Sequence, residues 1–199
     1  MRVGVLALQG DFAAHAAALT RCGADPLEIR RSAQLDRLDG LVLPGGESTT
    51  LLNLMGDEPW FEALRRMNAR GGCLLGTCAG AILLAREVRG PSQRSLGLLD
   101  AVVERNAYGR QVDSFEATLD APTLGGPLHG VFIRAPRFLA LGPGVEVLAR
   151  HDGEAVLVRE GRVTAGTFHP ELAGDDRLHR WFLEQAEESG VGAWRAAAG

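Results

Sequence analysis

One short segment restricts the folds open to this chain more than any other. The apolar run Cys73-Leu74-Leu75-Gly76 leads into Gly76-Thr77-Cys78-Ala79-Gly80, and helix-like spacing follows over Ala79 to Arg86. A reactive residue between two glycines, after a strand and before a helix, is a nucleophile elbow. The tight turn strains the backbone at its apex, so the flanking residues must be small. The side chain then projects beyond the carboxyl end of a sheet, where open α/β folds bind ligands. Such a turn needs neighbouring parallel strands, and the first half of the chain supplies them. Val3 to Leu8, Pro26 to Arg30 and Leu38 to Leu43 are short, nearly all-apolar runs, as strands covered on both faces should be. Helical segments alternate with them, over Phe12 to Arg21, from near Ser48, and over Glu58 to Arg70. This order predicts an α/β fold, a mostly parallel central sheet with helices on both faces, in three layers.

The second half reads differently. Leu98 to Arg105, Ser114 to Leu119, Gly130 to Arg134, Glu146 to His151, Ala155 to Arg159 and Val163 to Phe168 are rich in β-branched residues and separated by turns. His151-Asp152-Gly153-Glu154 and Glu160-Gly161 have hairpin-turn chemistry. An amphipathic helix is expected from about Asp176 to Glu188. Without repeats or linkers, the simplest account is one domain over residues 1–188 and a flexible tail over 189–199.

Composition narrows the chemistry. At 199 residues and 46% hydrophobic, the chain can build its own core. A net charge of −4 argues against a nucleic-acid binder working by bulk electrostatics. All 21 basic residues are arginine, so the chain can supply neither a Schiff-base lysine nor a P-loop lysine. Three cysteines, an odd number, argue against a disulfide framework and fit a reducing cytoplasm. Met1 to Leu8 reads as a strand rather than a signal peptide, and no apolar run approaches the ~20 residues of a membrane span.

A thiol nucleophile needs a base, and the base needs an orienting group. Of five histidines, His15 and His179 fall on expected helices and read as solvated, while His129 and His151 sit near turns. His169 is different. It lies in Thr167-Phe168-His169-Pro170-Glu171, just beyond the last strand, where Pro170 favours an extended His169. Extended backbone would place His169 and Glu171 on one side, with Glu171 bound to one ring nitrogen and the other nitrogen facing Cys78. Cys73 reads as core and Cys22 as a helix end. For the oxyanion of an acyl-transfer reaction, the Ala79 amide is one donor, and Pro44-Gly45-Gly46-Glu47-Ser48 is suited to provide another. Nothing in the His and Cys spacing suggests a metal site, and no cofactor is called for.

Pro-Gly-Gly before a helix, Gly-Thr-Cys-Ala-Gly at an elbow and a late Phe-His-Pro-Glu together resemble class I, triad-type glutamine amidotransferases, whose fold is flavodoxin-like. Further segments sharpen the likeness. Leu6 to Asp11, Pro44 to Thr50, Val103 to Glu116 and Gly130 to Pro136 resemble the glutaminase subunits of pyridoxal 5'-phosphate synthases, from about Val3 to the last helix. Ala107-Tyr108 stands where that pattern has Ser-Phe.

The resemblance implies Cys78 as nucleophile, His169 as base and Glu171 as orienter, with no metal or cofactor. It implies glutamine contacts from Gly46, Glu47, Ser48, Arg105, Ile133 and Arg134, and an oxyanion hole of Gly46 and Ala79. An arginine suits the α-carboxylate of glutamine and a carboxylate such as Glu47 its α-ammonium; which arginine is left open. The implied partner is a TIM-barrel synthase in a large hetero-oligomer, which would receive the ammonia. Gln9-Gly10 and the Pro44 to Ser48 loop are expected to report its docking. Two other readings remain: a glutaminase subunit for another synthase, such as imidazole glycerol phosphate synthase, and a non-catalytic thiol sensor on the same elbow-cysteine fold.

Overall fold

The computed structural model describes residues 1–105, 107 and 114–188. The sequence-based expectation of a flexible tail over 189–199 lies outside these residues, as does most of the Asn106 to Asp113 stretch.

Five parallel strands form the centre: β1 (Val3–Leu6), β2 (Leu27–Ile29), β3 (Gly40–Leu43), β4 (Cys73–Thr77) and β12 (Val163–Gly166), ordered β12-β4-β3-β1-β2. Every residue of β1, β3, β4 and β12 is buried. Their apolar runs are thus explained by cover on both faces. Alternate residues feed opposite layers. Leu6, Leu41, Leu43 and Leu74 pack with Trp60, Leu64 and Met67 of α3 (Trp60–Ala69) and with Leu51 and Met55 of α2 (Ser48–Met55). Val3, Val5, Val42 and Leu75 face Leu19 of α1 (Phe12–Arg21) and Leu178, Phe182 and Leu183 of α5 (Arg177–Glu188). The expected three-layer α/β architecture is present.

Two strands extend this sheet by antiparallel pairing, β11 (Glu154–Glu160) on β12 and β10 (Glu146–His151) on β11. Asp152 and Gly153, both at positive φ, make the two-residue turn between them, as their sequence predicts. The other strands form two small sheets. One is β5 (Ala85–Arg89), β6 (Leu99–Glu104) and β9 (Arg137–Leu141); the other pairs β7 (Phe115–Leu119) with β8 (Leu128–Phe132).

Two elements depart from the sequence reading. The helix expected to reach Arg86 stops at Leu84, because residues 85–89 leave it to pair with β6 as β5. Strand β9 was not expected. It is half-buried, with Phe138 and Leu141 against the core and Leu139 and Ala140 exposed, so its short apolar run lacks the strict alternation that marks a strand.

Register sets up the site. Gly76 of β4 lies beside Leu43 of β3, and Thr77 beside Gly166 of β12. The carboxyl ends of these strands are therefore level, and the loops that follow all open on one rim.

Candidate active site

Cys78 sits at the apex of the turn from β4 into α4 (Ala79–Leu84), with φ 47° and ψ −103°. Positive φ at a non-glycine residue costs about 1–3 kcal/mol and persists only where the surroundings impose it. Here the Cys78 N–H donates to the Gly166 carbonyl at 2.9 Å, tying the apex to β12. Gly80 is required by close approach: a Cβ there would collide with the Leu43 carbonyl oxygen. The small residues of the motif thus serve contact between α4 and β3 as well as the turn itself.

His169 and Glu171 come from the end of β12. The backbone of His169 donates to the Val131 carbonyl of β8 at 2.8 Å. A short 3-10 turn over Pro170–Leu172, not an extended segment, then brings Glu171 beneath the imidazole. His169 Nδ1 lies 2.8 Å from Glu171 Oε1. The sequence reading paired the right residues by the wrong backbone path, because Pro170 begins a helical turn as readily as it restrains the residue before it.

The expected solvation of His15 and His179 is overturned. Both are fully buried where α1 and α5 pack together. His15 Nδ1 is 2.9 Å from His179 Nε2. His15 Nε2 is 3.1 Å from both Thr77 Oγ1 and Glu171 Oε2. The approach to Oε2 is a close electrostatic one; the aligned hydrogen bond of that nitrogen is to Thr77. The alanines around His15 hid this, since an alanine-rich helix has no sharp apolar stripe from which to tell its inner face.

Electrostatics follow the geometry. Burial disfavours the Glu171 carboxylate, but His15 and His169 outweigh it and hold its pKa well below the usual range. Burial also favours a neutral His169, yet Cys78 and Glu171 raise its pKa to about 10. Burial and the neighbouring His15 lower His179 to about 4.

A cleft of about 170 Å³ opens beside Cys78 and His169. Gly46, Glu47, Ser48, Arg105, Ile133 and Arg134 all line it, together with Asp11 and Ile82, which the sequence did not single out. Gly45 packs so closely that a Cβ would collide with the His169 ring, and Gly46 has φ 140° against the Gln9 side chain. Gln9 Oε1 accepts from the Glu47 N–H at 3.1 Å.

The two arginines of the rim differ in what they are bound to. Glu47 caps α2 by accepting from the Thr49 and Thr50 N–H groups, and its Oε1 also meets Arg105 at 3.2 Å. Against a burial effect of opposite sign, these backbone hydrogen bonds lower its pKa to about 2. Arg134, at φ 44° after β8, has no hydrogen-bond or ion-pair partner among the described residues. Ser48 Oγ donates to Gln93 Oε1 at 2.8 Å, a partner missed because it lies in an irregular loop.

Among the described residues, Asp11, His169 and Glu171 could offer donor atoms to a metal, within 4.8 Å of one another. Both Glu171 oxygens already face histidines. No described helix is long and apolar enough to cross a membrane.

Known proteins share this framework. A family model, the SNO glutamine amidotransferase family, matches residues 5–188. The pyridoxal 5'-phosphate synthase subunit PdxT of Thermus thermophilus is 58% identical over 186 residues, covering 92% of this chain and 97% of its own. That of Desulforudis audaxviator is 52% identical over 185 residues, covering 92% and 98%. A solved structure described as a glutamine amidotransferase superposes with a TM-score of 0.88 at 54% identity, covering 94% of this chain and all of the other. An elbow cysteine, a histidine-carboxylate pair beneath it and a family match over nearly the whole described fold lead to one conclusion: the chain belongs to the SNO glutamine amidotransferase family.

Proposed function

We propose that this chain hydrolyses L-glutamine to L-glutamate and ammonia through Cys78, His169 and Glu171, and passes the ammonia to a pyridoxal 5'-phosphate synthase partner. The observation that carries the reading is a strained elbow cysteine facing a histidine whose far nitrogen is held by a buried carboxylate, beside a glycine loop.

His169 takes the Cys78 proton, and the thiolate attacks the side-chain amide carbon. The oxyanion is held by the Ala79 amide, which as the first residue of α4 has no acceptor within its own helix, and by the Gly46 region. His169 returns its proton to the departing nitrogen, and the C–N bond breaks to leave ammonia and a γ-glutamyl thioester. Water, deprotonated by His169, attacks the thioester. The C–S bond breaks, glutamate leaves and the Cys78 thiol is restored. Glu171 fixes the ring and offsets its positive charge. Arg134, whose donors have no partner among the described residues, binds the α-carboxylate. Arg105 is paired with Glu47 and shapes the rim, and Glu47 reaches the α-ammonium only while remaining the cap of α2. Ser48 and Ile133 complete the wall.

The partner is supported by the relatives' names and by the absence of lysine, which leaves this chain unable to form imines with carbonyl substrates. The partner reading extends to a TIM-barrel subunit in a large hetero-oligomer and to a cytoplasmic setting. Gln9, packed on Gly46, is the residue placed to relay docking.

The test is glutamate release from glutamine by the purified chain, with and without a pyridoxal 5'-phosphate synthase subunit, and with Cys78→Ala. Release stimulated by the synthase and abolished in Cys78→Ala supports the whole reading. Equal release with and without synthase keeps the glutaminase and removes the partner.

A further inference from the structure

We propose that His15 is a positioning residue for this reaction, gripping the Glu171 carboxylate from behind so that Glu171 holds His169 in line with Cys78. The inference rests on the glutaminase reading of the cleft. Its basis is the buried cluster of His15, His179, Thr77 and Glu171, drawn from α1, α5, the end of β4 and the 3-10 turn after β12.

Proton positions in the cluster follow from its neighbours. A lone pair on His15 Nε2 would face the Glu171 Oε2 lone pairs at 3.1 Å and be repelled, so Nε2 carries the hydrogen. It is aligned on Thr77 Oγ1 and lies close to Oε2. His15 Nδ1 is then an acceptor and takes the Nε2–H of His179. This leaves His179 Nδ1 as a bare lone pair, and that atom is indeed buried with no partner. The opposite assignment would bury an N–H there without an acceptor, the costlier arrangement. A single directed chain results: His179 donates to His15, His15 meets Oε2, and Oε1 accepts from His169.

The carboxylate therefore faces a histidine at each oxygen, hydrogen-bonded to His169 at Oε1 and in close electrostatic contact with His15 at Oε2. Without His15, Oε2 would lose its nearest electrostatic support, and the group could rotate or take up a proton. Thr77 makes the linkage local, because the residue that shares His15 Nε2 is bonded directly to Cys78. Outer groups that orient metal-ligating histidines are worth about 10–100-fold, which sets the scale expected for a group supporting Glu171.

The test compares His15→Leu with His15→Gln in complex with the synthase subunit. The glutamine side chain can return an amide N–H to the Nε2 position; leucine fills similar space without one. His15→Leu should lower kcat for glutamate release about tenfold or more with KM for glutamine within about twofold, and His15→Gln should recover most of the loss. A second readout needs no turnover. In protein labelled with 15N-histidine, the His169 Nδ1–H proton should shift or broaden in His15→Leu and return in His15→Gln. Unchanged kcat with an unmoved proton in His15→Leu overturns the proposal. So does an equal loss in both variants at unchanged melting temperature, which would assign His15 to packing alone. If His15→Leu does not fold, His15→Asn replaces it, since its amide reaches only the Nδ1 position and should show the same loss. A wild-type chain that releases no glutamate breaks the glutaminase reading, and the proton signal then decides the role of His15 by itself.

Discussion

The cleft has two walls built on different terms. The inner wall, from Cys78 through His169 and Glu171 to His15, is buried and stands on α1 and on strand ends whose register is fixed by the central sheet. The outer wall, with Glu47, Arg105 and Arg134, stands on loops and a helix cap and faces solvent in part. Low dielectric strengthens every interaction on the inner wall, whereas water and salt weaken those on the outer one. The contrast separates bond breaking from recognition, and substitutions on the two walls should differ in kind as well as size.

The largest effect is expected at the innermost point. Cys78→Ala should cut glutamate release about 10⁴-fold or more, to background, in a steady-state assay. Glu171→Gln comes next, with a loss of about 10²–10³-fold in kcat and little change in KM, because the ring of His169 loses its charged support. The same substitution exposes a pH signature. The folded-state pKa of Glu171 lies below the ordinary 4.5, so its ionised form adds stability that is complete above that value and is lost as pH falls through the lower, folded value. In urea unfolding, the stability gap between wild type and Glu171→Gln should stay level from about pH 7 to about pH 5 and narrow below about pH 4.

Outer-wall changes should act on binding. Arg134→Met is expected to raise KM for glutamine about tenfold with kcat within about threefold. An equal fall in kcat would place Arg134 with the inner wall and blur the distinction. The smallest effect is structural: Glu47→Ala removes the cap of α2 and should lower unfolding stability by about 1 kcal/mol, read from the urea midpoint.

The two walls were also unequally legible in the sequence. Cys78 and His169 stand in short motifs whose residue types are dictated by local geometry, a strand-to-helix turn and a proline-restrained strand exit. The central strands were visible because burial on both faces makes them continuously apolar. Strand β9 was not, since it is only half-buried and its apolar run Phe138 to Leu141 shows no clean alternation of inner and outer faces. His15 and His179 escaped notice because their partners are 62 to 164 residues away in the chain, and no local pattern records so distant a contact. The pairing of Glu47 with Arg105 was hidden for the same reason, so the sequence could name the rim residues without saying which were already committed to each other.

Gly80 lies so close to the Leu43 carbonyl that the elbow helix and the strand feeding the glycine loop meet without a side chain between them. The joint admits one residue type, while the rim beyond it is made of loops that can change one at a time. A lineage that inherits this joint can drift in what it recognises, and in which synthase it serves, without rebuilding the apparatus that breaks the amide. Innovation in such a family is expected to accumulate at the rim, and a saturation library should find position 80 closed while Glu47 and Arg134 stay open to selection.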